Sequence, residues 1–187
     1  MLIAIGSAGC TSLIGTTSLP VVLPDDWESR RTMLQQWSRF DLRGRVAVAS
    51  GEEGFTASLR WAQRASAASV ELDGPLGLAG VRLELEQGRL ADEIARAELE
   101  RRLGFVLPVE SLRYWMLGVP DPARAAEEQR AEGTARLDGL RQEGWTVVFT
   151  RYAKVAGVNY ELPQRIEATR ESVRVRLLVD SWGAGTR

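Results

Sequence analysis

The sequence contains no histidine, one cysteine and one lysine among its 187 residues. Without histidine the chain has no imidazole base, so Ser-His-Asp and Cys-His catalytic pairs and histidine-ligated metal sites are excluded. A single cysteine excludes an internal disulfide and a Cys-x-x-Cys metal site. These absences remove most familiar hydrolases, and we expect no enzyme, no cofactor and no metal centre.

Neither sign of charge dominates, because 24 lysine and arginine residues stand against 25 aspartate and glutamate residues and leave a formal net charge of −1. Such a chain has no excess of cations to release counterions from a phosphate backbone, so we expect no nucleic-acid partner. No apolar run approaches the roughly 18–20 residues needed to span a bilayer. With 187 residues, 44% of them hydrophobic, the sequence predicts one globular domain with a sizeable core.

The N-terminus carries a short apolar run that ends in small residues immediately before Cys10. This order is typical of the end of a secretory signal peptide. Ser7-Ala8-Gly9-Cys10 resembles a bacterial lipobox, in which the cysteine is acylated and becomes the first residue of a mature lipoprotein. We therefore expect residues 1–9 to be a signal-peptide remnant and Cys10 to be the lipid attachment. The alternative is an inert cysteine.

Residues 10–24 mix Ser, Thr, Gly and Pro and show no helical period. They predict a flexible tether that reaches on the order of 20 Å. The protein would then be anchored to a membrane without spanning it, and residues 25–187 would form its folded body.

Apolar periodicity divides the first half of the body into one helix and four strands. A capping signal at residues 25–28 and a shared apolar face predict a short helix, and from Leu42 the period changes to two. Alternation with polar residues predicts strands that each have one wet face, as in an antiparallel meander. The inward positions of these strands are Leu42, Val46 and Val48; Phe55, Ala57, Leu59 and Trp61; Ala68, Val70 and Leu72; and Val81, Leu83 and Leu85.

Two helices and further strands are predicted in the second half. A helical period over residues 95–103 ends at Gly104, and a second helix opens at Pro108 and stops at Gly118. Residues 119–133 are polar and predict a connector. Strands resume at residues 144–149, again near 165–169, and at 173–179.

These elements predict a mainly β (α+β) domain, a single curved antiparallel sheet whose apolar concave face is partly covered by the mid-chain helices. A sheet closed only partly around short helices tends to leave an apolar cavity in its mouth. The alternative is that the same side chains fill a dry core, since apolar faces usually pack. The candidate cavity-lining residues are Val46, Val48, Phe55, Leu59, Trp61, Val70, Leu72, Leu83, Leu85, Trp115, Trp145, Val147, Phe149, Val175 and Leu177.

Several segments, taken in order, resemble the LolB family of outer-membrane lipoprotein receptors. Each string is weak by itself, but their order and spacing are specific together and extend over nearly the whole body. The strongest is Leu112-Arg113-Tyr114-Trp115, which is followed by Gly118-Val119-Pro120. The others are the lipobox-like start, Leu42-Arg43-Gly44-Arg45-Val46-Ala47-Val48, Trp61-Ala62-Gln63, Asp73-Gly74-Pro75-Leu76-Gly77, Leu107-Pro108-Val109, Gly144-Trp145 and Leu162-Pro163.

The resemblance implies an unclosed β-barrel with an α-helical lid and a cavity that holds acyl chains. It implies that the protein accepts acylated lipoproteins from the periplasmic carrier LolA and inserts them into the outer membrane without ATP. Its partners would be LolA, acylated lipoproteins and outer-membrane lipid, and it would act as a monomer. It would lie on the periplasmic face of the outer membrane, lipid-anchored through Cys10.

A loop between two predicted strands carries the sharpest residue hypothesis. Pro75 fixes φ and Gly77 permits a tight reversal, so Leu76 would be presented at the loop tip. In the family, the apolar residue that matches Leu76 protrudes and helps to pass lipoproteins into the membrane. The resemblance implies the same membrane-contacting role for Pro75, Leu76 and Gly77. The alternative is that Leu76 folds back onto the sheet.

Two functions of other classes stay open. A small lipid-anchored scaffold would bind a protein partner with its apolar sheet face and would carry no lipid. A membrane-tethered hydrolase would need a carboxylate pair such as Glu52–Glu53 or Asp92–Glu93, although adjacent acids in turns are usually just solvated.

Overall fold

Three helices and ten strands make up the described part of the chain, which is residues 24–74, 81–155 and 161–184 of a computed structural model. The helices are α1 (Trp27–Gln36), α2 (Glu93–Leu103) and α3 (Val109–Met116). The strands are β1 (Arg39–Ser50), β2 (Glu53–Arg64), β3 (Ala67–Asp73), β4 (Val81–Glu86), β5 (Arg89–Leu90), β6 (Ala126–Arg130), β7 (Leu137–Gln142), β8 (Trp145–Lys154), β9 (Glu161–Arg170) and β10 (Val173–Ala184).

All ten strands belong to one open sheet in the order β5-β4-β3-β2-β1-β10-β9-β8-β7-β6, with every pairing antiparallel. Within the described residues, β1 with β10 is the one pairing between strands that are not consecutive in the chain. It joins the meander β1–β5 to the meander β6–β10. The edges of the sheet are β5 and β6, and the segment containing α2 and α3 connects them.

A bulge lies at the junction of the two meanders. The register of β1 against β10 shifts between Arg43, which pairs with Ser181, and Gly44, which pairs with Val179. Asp180 is therefore the extra residue on β10. Bulges increase the local twist and bend of a strand, so this one helps the sheet to curl at its centre.

The sheet curls far enough to bring distant strands together. One concavity of about 640 Å³ is lined by Arg89 of β5 and also by Trp145 of β8. These strands are seven places apart in the sheet order, which would separate them by about 34 Å if the sheet were flat. The curved, unclosed sheet predicted from the sequence is therefore confirmed.

The first helix begins at the predicted capping signal. Asp26 is the N-cap, and its Oδ1 accepts a hydrogen bond from the backbone N–H of Ser29 at 2.8 Å. This bond holds the pKa of the Asp26 carboxyl below its usual value. Trp27 and Leu34 of α1 are buried, and Trp37 follows the helix and packs against Phe40 with ring centroids 5.5 Å apart.

The other two helices end where the sequence predicts. α2 stops before Gly104, and α3 begins after Pro108 and stops before Gly118. Gly118 has a φ of +77°, and a Cβ at this position would lie 2.9 Å from Cγ of Pro163. Only glycine meets both conditions without strain, since L side chains disfavour positive φ.

The predicted connector over residues 119–133 is wrong in part, because β6 lies within it and pairs with β7. Both strands precede residue 144, where the sequence predicts strands to resume. β6 has the sequence AEEQR and β7 has LDGLRQ, so neither shows clean apolar alternation over its length. β6 is an edge strand, and such strands are commonly short and charged.

Candidate functional site

Fourteen of the fifteen candidate cavity residues lie on strands and share one face of the sheet, and the fifteenth, Trp115, lies on α3. In the register, Leu59 of β2 lies opposite Leu72 of β3, and Val46 of β1 lies opposite Leu177 of β10. The exposed fraction of thirteen of the fifteen side chains is 9% or less, and Val46 and Phe55 are partly buried. The thirteen are Val48, Leu59, Trp61, Val70, Leu72, Leu83, Leu85, Trp115, Trp145, Val147, Phe149, Val175 and Leu177.

Aromatic side chains join this face to the helices. The indole of Trp115 on α3 lies 6.2 Å from that of Trp145 on β8, measured between ring centroids. The ring of Phe105, in the segment between α2 and α3, also lies 6.2 Å from that of Trp145. Tilted aromatic pairs at this spacing are favourable beyond the area that they bury. The apolar face is therefore covered by α3 and packed in this structure.

A buried amide that the sequence did not point to fixes α3 on the sheet. Oε1 of Gln142 accepts hydrogen bonds from Nε1 of Trp115 at 3.0 Å and from the backbone N–H of Asp121 at 3.1 Å. Its Nε2 donates to the carbonyl oxygens of Asp121 and Arg124, both at 3.0 Å. The amide thus makes four hydrogen bonds, two through Oε1 and two through Nε2, as a buried polar group requires.

A second buried amide forms a similar set of hydrogen bonds at the turn between β2 and β3. Gln63 accepts a hydrogen bond from Nε1 of Trp61 at 3.0 Å and donates to the carbonyl oxygens of Ala65 and Ala67 at 2.9 and 3.0 Å. Trp61, a cavity candidate, therefore has its polar atom fixed within the sheet. Its ring is held in place independently of any ligand.

An open concavity lies between β5, α2, α3 and the β7–β8 turn, and we call it the mouth. Its volume is about 640 Å³. Trp145 is the cavity candidate that reaches it. The mouth is lined by Arg89, Leu90, Glu93, Arg96, Leu99, Glu100, residues 106–111, Arg124, Glu143, Trp145 and Arg170.

Charged side chains form a continuous chain of ion pairs across the mouth. Glu110 of α3 accepts from Nε of Arg89 on β5 at 3.1 Å and from Nη2 of Arg124 at 2.8 Å. Arg124 also pairs with Glu143 in the β7–β8 turn. The Glu143 charge, with smaller contributions from Glu110, raises the pKa of the Arg124 guanidinium. We call these four residues the Arg89–Glu110–Arg124–Glu143 chain.

The two carboxylate pairs that a hydrolase would need lie at the start of a helix and at a turn. Oδ1 of Asp92 accepts from the backbone N–H of Ile94 at 2.8 Å at the start of α2, and Glu93 pairs with Arg96 one turn along that helix. Glu52 and Glu53 are exposed at the β1–β2 turn. Asp92 and Glu93 therefore serve the start of α2, and Glu52 and Glu53 lie at a solvated turn.

Four predicted site residues, Cys10, Pro75, Leu76 and Gly77, lie outside the described residues. In the described ranges, no helix is both long enough and apolar enough to cross a membrane. In the same ranges, no three His, Cys, Asp or Glu side chains converge in a way that could hold a metal ion.

Comparison with known proteins identifies the family. The family model described as "Outer membrane lipoprotein LolB" matches residues 38–182. The outer-membrane lipoprotein LolB of Halorhodospira halophila is 32% identical over 193 residues, which cover 94% of this chain and 93% of the relative. That of Nitrosococcus oceani is 32% identical over 169 residues, which cover 85% of this chain and 83% of the relative.

A solved structure agrees with these relatives at the level of the fold. A LolA superfamily protein from Nitrosomonas europaea superposes with a TM-score of 0.54 at 10% identity, over 87% of this chain and 94% of that one. The family model covers more than three quarters of the chain, including every strand from β1 to β9 and most of β10. The chain therefore belongs to the LolB family of outer-membrane lipoproteins.

Proposed function

We propose that this protein accepts acylated lipoproteins from the periplasmic carrier LolA and inserts them into the outer membrane without ATP. The observation that carries the proposal is an apolar sheet face whose open side is bridged by short helices, in a chain of the LolB family. Each buried methylene of an acyl chain gains about 0.8 kcal/mol, so an acylated protein needs a shielded apolar site to cross water.

The fifteen cavity candidates would line the acyl site in the loaded state. Because thirteen of them are packed in this structure, α2 and α3 would act as a lid that lifts from the sheet to admit the acyl chains. Direction would come from affinity alone: cargo passes from the carrier to this site and then to the bilayer, each step being downhill.

The protein itself would be held at the periplasmic face of the outer membrane by acylation of Cys10. Residues 10–24 would let the body reach on the order of 20 Å from the anchor. Such a tether keeps the delivery site close to the membrane surface without fixing its orientation, which suits a protein that must meet both a carrier and a bilayer.

Leu76 would deliver the cargo by dipping into the membrane at the tip of the loop that follows β3. A single leucine gains about 1.5–3 kcal/mol on burial in an apolar phase. That gain is enough to orient the protein during transfer and too small to anchor it. Pro75 and Gly77 would shape the loop around Leu76.

The test is transfer of an acylated lipoprotein from LolA to liposomes by the full chain with Cys10→Ser, which removes the anchor. We expect Leu76→Glu to accept cargo and fail to deliver it. The matched control is Val148→Glu, because Val148 is 44% exposed on β8 and does not line the mouth. Transfer by Leu76→Glu at the rate of the control would contradict the role of Leu76. Failure of every form to take cargo would contradict the receptor function.

One observation favours the scaffold alternative, which is the close packing of the apolar face. A scaffold that carries no lipid needs no space beneath α2 and α3. Displacement of a fluorescent fatty-acid probe separates the two functions, because a receptor binds the probe with a measurable affinity and a scaffold does not.

A further inference from the structure

We propose that the mouth is the portal through which acyl chains pass, and that the Arg89–Glu110–Arg124–Glu143 chain is the latch that holds it shut. This inference rests on the proposed function, since a portal requires that acyl chains enter the protein. It goes beyond that function because it names one opening among those that the unclosed sheet offers and the side chains that control it.

Part of the lining of the mouth is apolar and continuous with the core. Leu99 and Trp145 line the mouth and are themselves buried members of the core cluster. Leu107 and Val109, also on the lining, are half-buried and pack against that cluster. An acyl chain that reaches these four side chains would exchange water for apolar contact.

The rim of the mouth exposes large apolar side chains to water. Val106 lines the mouth and is 60% exposed, and Ile94 is 81% exposed beside the lining residue Glu93. Both belong to α2 or to the segment between α2 and α3. An acyl chain that reaches the mouth thus meets exposed apolar surface at Val106.

The latch joins parts of the chain that must separate if the lid lifts. Glu110 belongs to α3, Arg89 to the edge strand β5, and Glu143 to the β7–β8 turn near the other edge. Arg124 links Glu110 to Glu143. Glu110 is the middle of this arrangement, because it alone contacts both arginines.

The ion pairs of the latch are exposed enough to be broken at little cost in free energy. The side chains of Glu110 and Arg124 are about one third exposed and that of Arg89 is mostly exposed. Ion pairs with such exposure contribute little individually and weaken as salt is added. They can hold α3 in one position while costing little to break when an acyl chain offers a larger gain.

A disulfide across the latch tests whether acyl chains pass here. A Cβ built on Gly88 would lie 3.8 Å from Cβ of Glu110, which is the mean Cβ–Cβ separation of a disulfide. The protein for the test is the full chain with Cys10→Ser, Gly88→Cys and Glu110→Cys, compared with each single cysteine variant. The readout is the rate of uptake of a fluorescent fatty acid.

We expect the oxidised double variant to take up the probe at a rate at least about tenfold below that of its reduced form, with full recovery on reduction. Equal rates in the oxidised and reduced forms would overturn the portal. If the Cys10→Ser chain with no added cysteine binds no probe, both the portal and the proposed receptor function are wrong, so the two failures are distinguishable.

Glu110→Gln tests the latch separately, because it removes the charge with little change of shape. We expect uptake roughly twofold to tenfold faster than in the wild type, from the loss of two partly exposed ion pairs. Added salt should accelerate the wild type and leave Glu110→Gln almost unchanged.

The matched control is Glu71→Gln. Glu71 also bridges two arginines, Arg60 and Arg82, and has a similar exposed fraction, but it lies on β3 away from the mouth. Faster uptake by the Glu71 variant to the same degree, or unchanged uptake by Glu110→Gln, would overturn the latch.

Discussion

Single residues in this fold are constrained by backbone geometry and by burial of polar atoms more than by their hydrophobicity. Gly118 sits where α3 ends, with positive φ and with Cγ of Pro163 and Oη of Tyr152 directly against it. Tyr152 in turn donates from its hydroxyl to the carbonyl of Leu137 at 2.7 Å. These contacts therefore join the end of α3 to β7, β8 and β9 at one point.

Gly118→Ala should destabilise the protein by about 3 kcal/mol, from the strain of a positive φ together with overpacking against Pro163. Gly133→Ala is the matched control, because Gly133 has a φ of +68° and nothing within 4 Å of its would-be Cβ. The control should lose only the strain, about 1 kcal/mol. The free energy of unfolding in denaturant measures both, and equal losses would show that the contact with Pro163 carries no cost.

Tyr152 predicts a decline of stability at high pH. Burial raises the pKa of its phenol well above the usual value, whereas the same group in the unfolded chain ionises at about pH 10. The raised pKa therefore contributes stability that is fully present below about pH 10 and is lost as the pH rises above it, by up to about 1.4 kcal/mol per pH unit.

Tyr152→Phe isolates this effect. The variant should be less stable by about 1 kcal/mol at pH 8 through the lost hydrogen bond to Leu137. Its free energy of unfolding should then fall less steeply than that of the wild type between pH 10 and about 11.5. The same slope in both proteins would mean that Tyr152 ionises as readily in the folded state as in the unfolded state.

At the scale of elements, the sequence predicted the strands with apolar alternation and the helices with strong end signals. β1 to β4, β8 and β10 follow their period of two, and α2 and α3 end before Gly104 and Gly118. β6 and β7 were missed because they lack apolar alternation; backbone pairing of β6 with β7 and of β7 with β8 makes them strands. Local pattern carries no information about such a partner.

The residues of the candidate site also divide into those that the sequence pattern indicated and those that it did not. The fifteen apolar candidates could be named because they repeat at strand or helix spacing; fourteen of them lie on one face of the sheet and Trp115 lies on α3. That they line a cavity stays a prediction. Gln142 and Glu110 were not found, because a glutamine and a glutamate on polar stretches look like any solvated residue. Their roles depend on partners 18 to 27 residues away for Gln142 and 14 to 21 residues away for Glu110.

The contact of α1 with β6 depends on Glu128. Its two carboxylate oxygens accept from Nε1 of Trp27 at 2.7 Å and from Nη1 of Arg31 at 2.8 Å. The hydrogen bond from Glu128 is also the main cause of the raised pKa of Arg31. One side chain on an edge strand therefore holds both the start and the middle of the helix.

Glu128→Ala should lower the free energy of unfolding by about 2 kcal/mol, since it removes two charge-assisted hydrogen bonds and leaves a buried indole N–H without its partner. Amide hydrogen exchange in α1 should accelerate. The adjacent Glu127→Ala is the control, because the Glu127 side chain is 79% exposed and forms a single long ion pair with Arg141. A loss of stability as large in the control would contradict the specific role of Glu128.

At the scale of the whole molecule, the strands of the open sheet are paired more extensively at its centre than at its β5 edge. β1 is paired along its length with both β2 and β10, whereas β5 has two residues and a single partner strand. α2 and α3 both line the mouth, and both contact β5, the strand with the least pairing. The part proposed to move is the part with the weakest attachment.

Native-state hydrogen exchange should reveal this gradient. The amides of β1, β2 and β10 should exchange only by global unfolding, and those of α2 and β5 by local opening at a much lower free energy. Addition of a fatty acid that occupies the proposed site should slow exchange in α2 more than in β1. Uniform protection across the sheet would contradict a lid that opens independently of the core.

The pairing of β1 with β10 has a consequence for the folding of the newly synthesised protein. These strands are more than 120 residues apart in sequence, yet they are neighbours at the centre of the sheet. The two meanders can form from local hairpins, but they cannot merge until β10 has been synthesised, and such long-range pairing is slow. Until then, a newly made chain exposes its own apolar face to water, which is the same difficulty that its acylated cargo is proposed to meet.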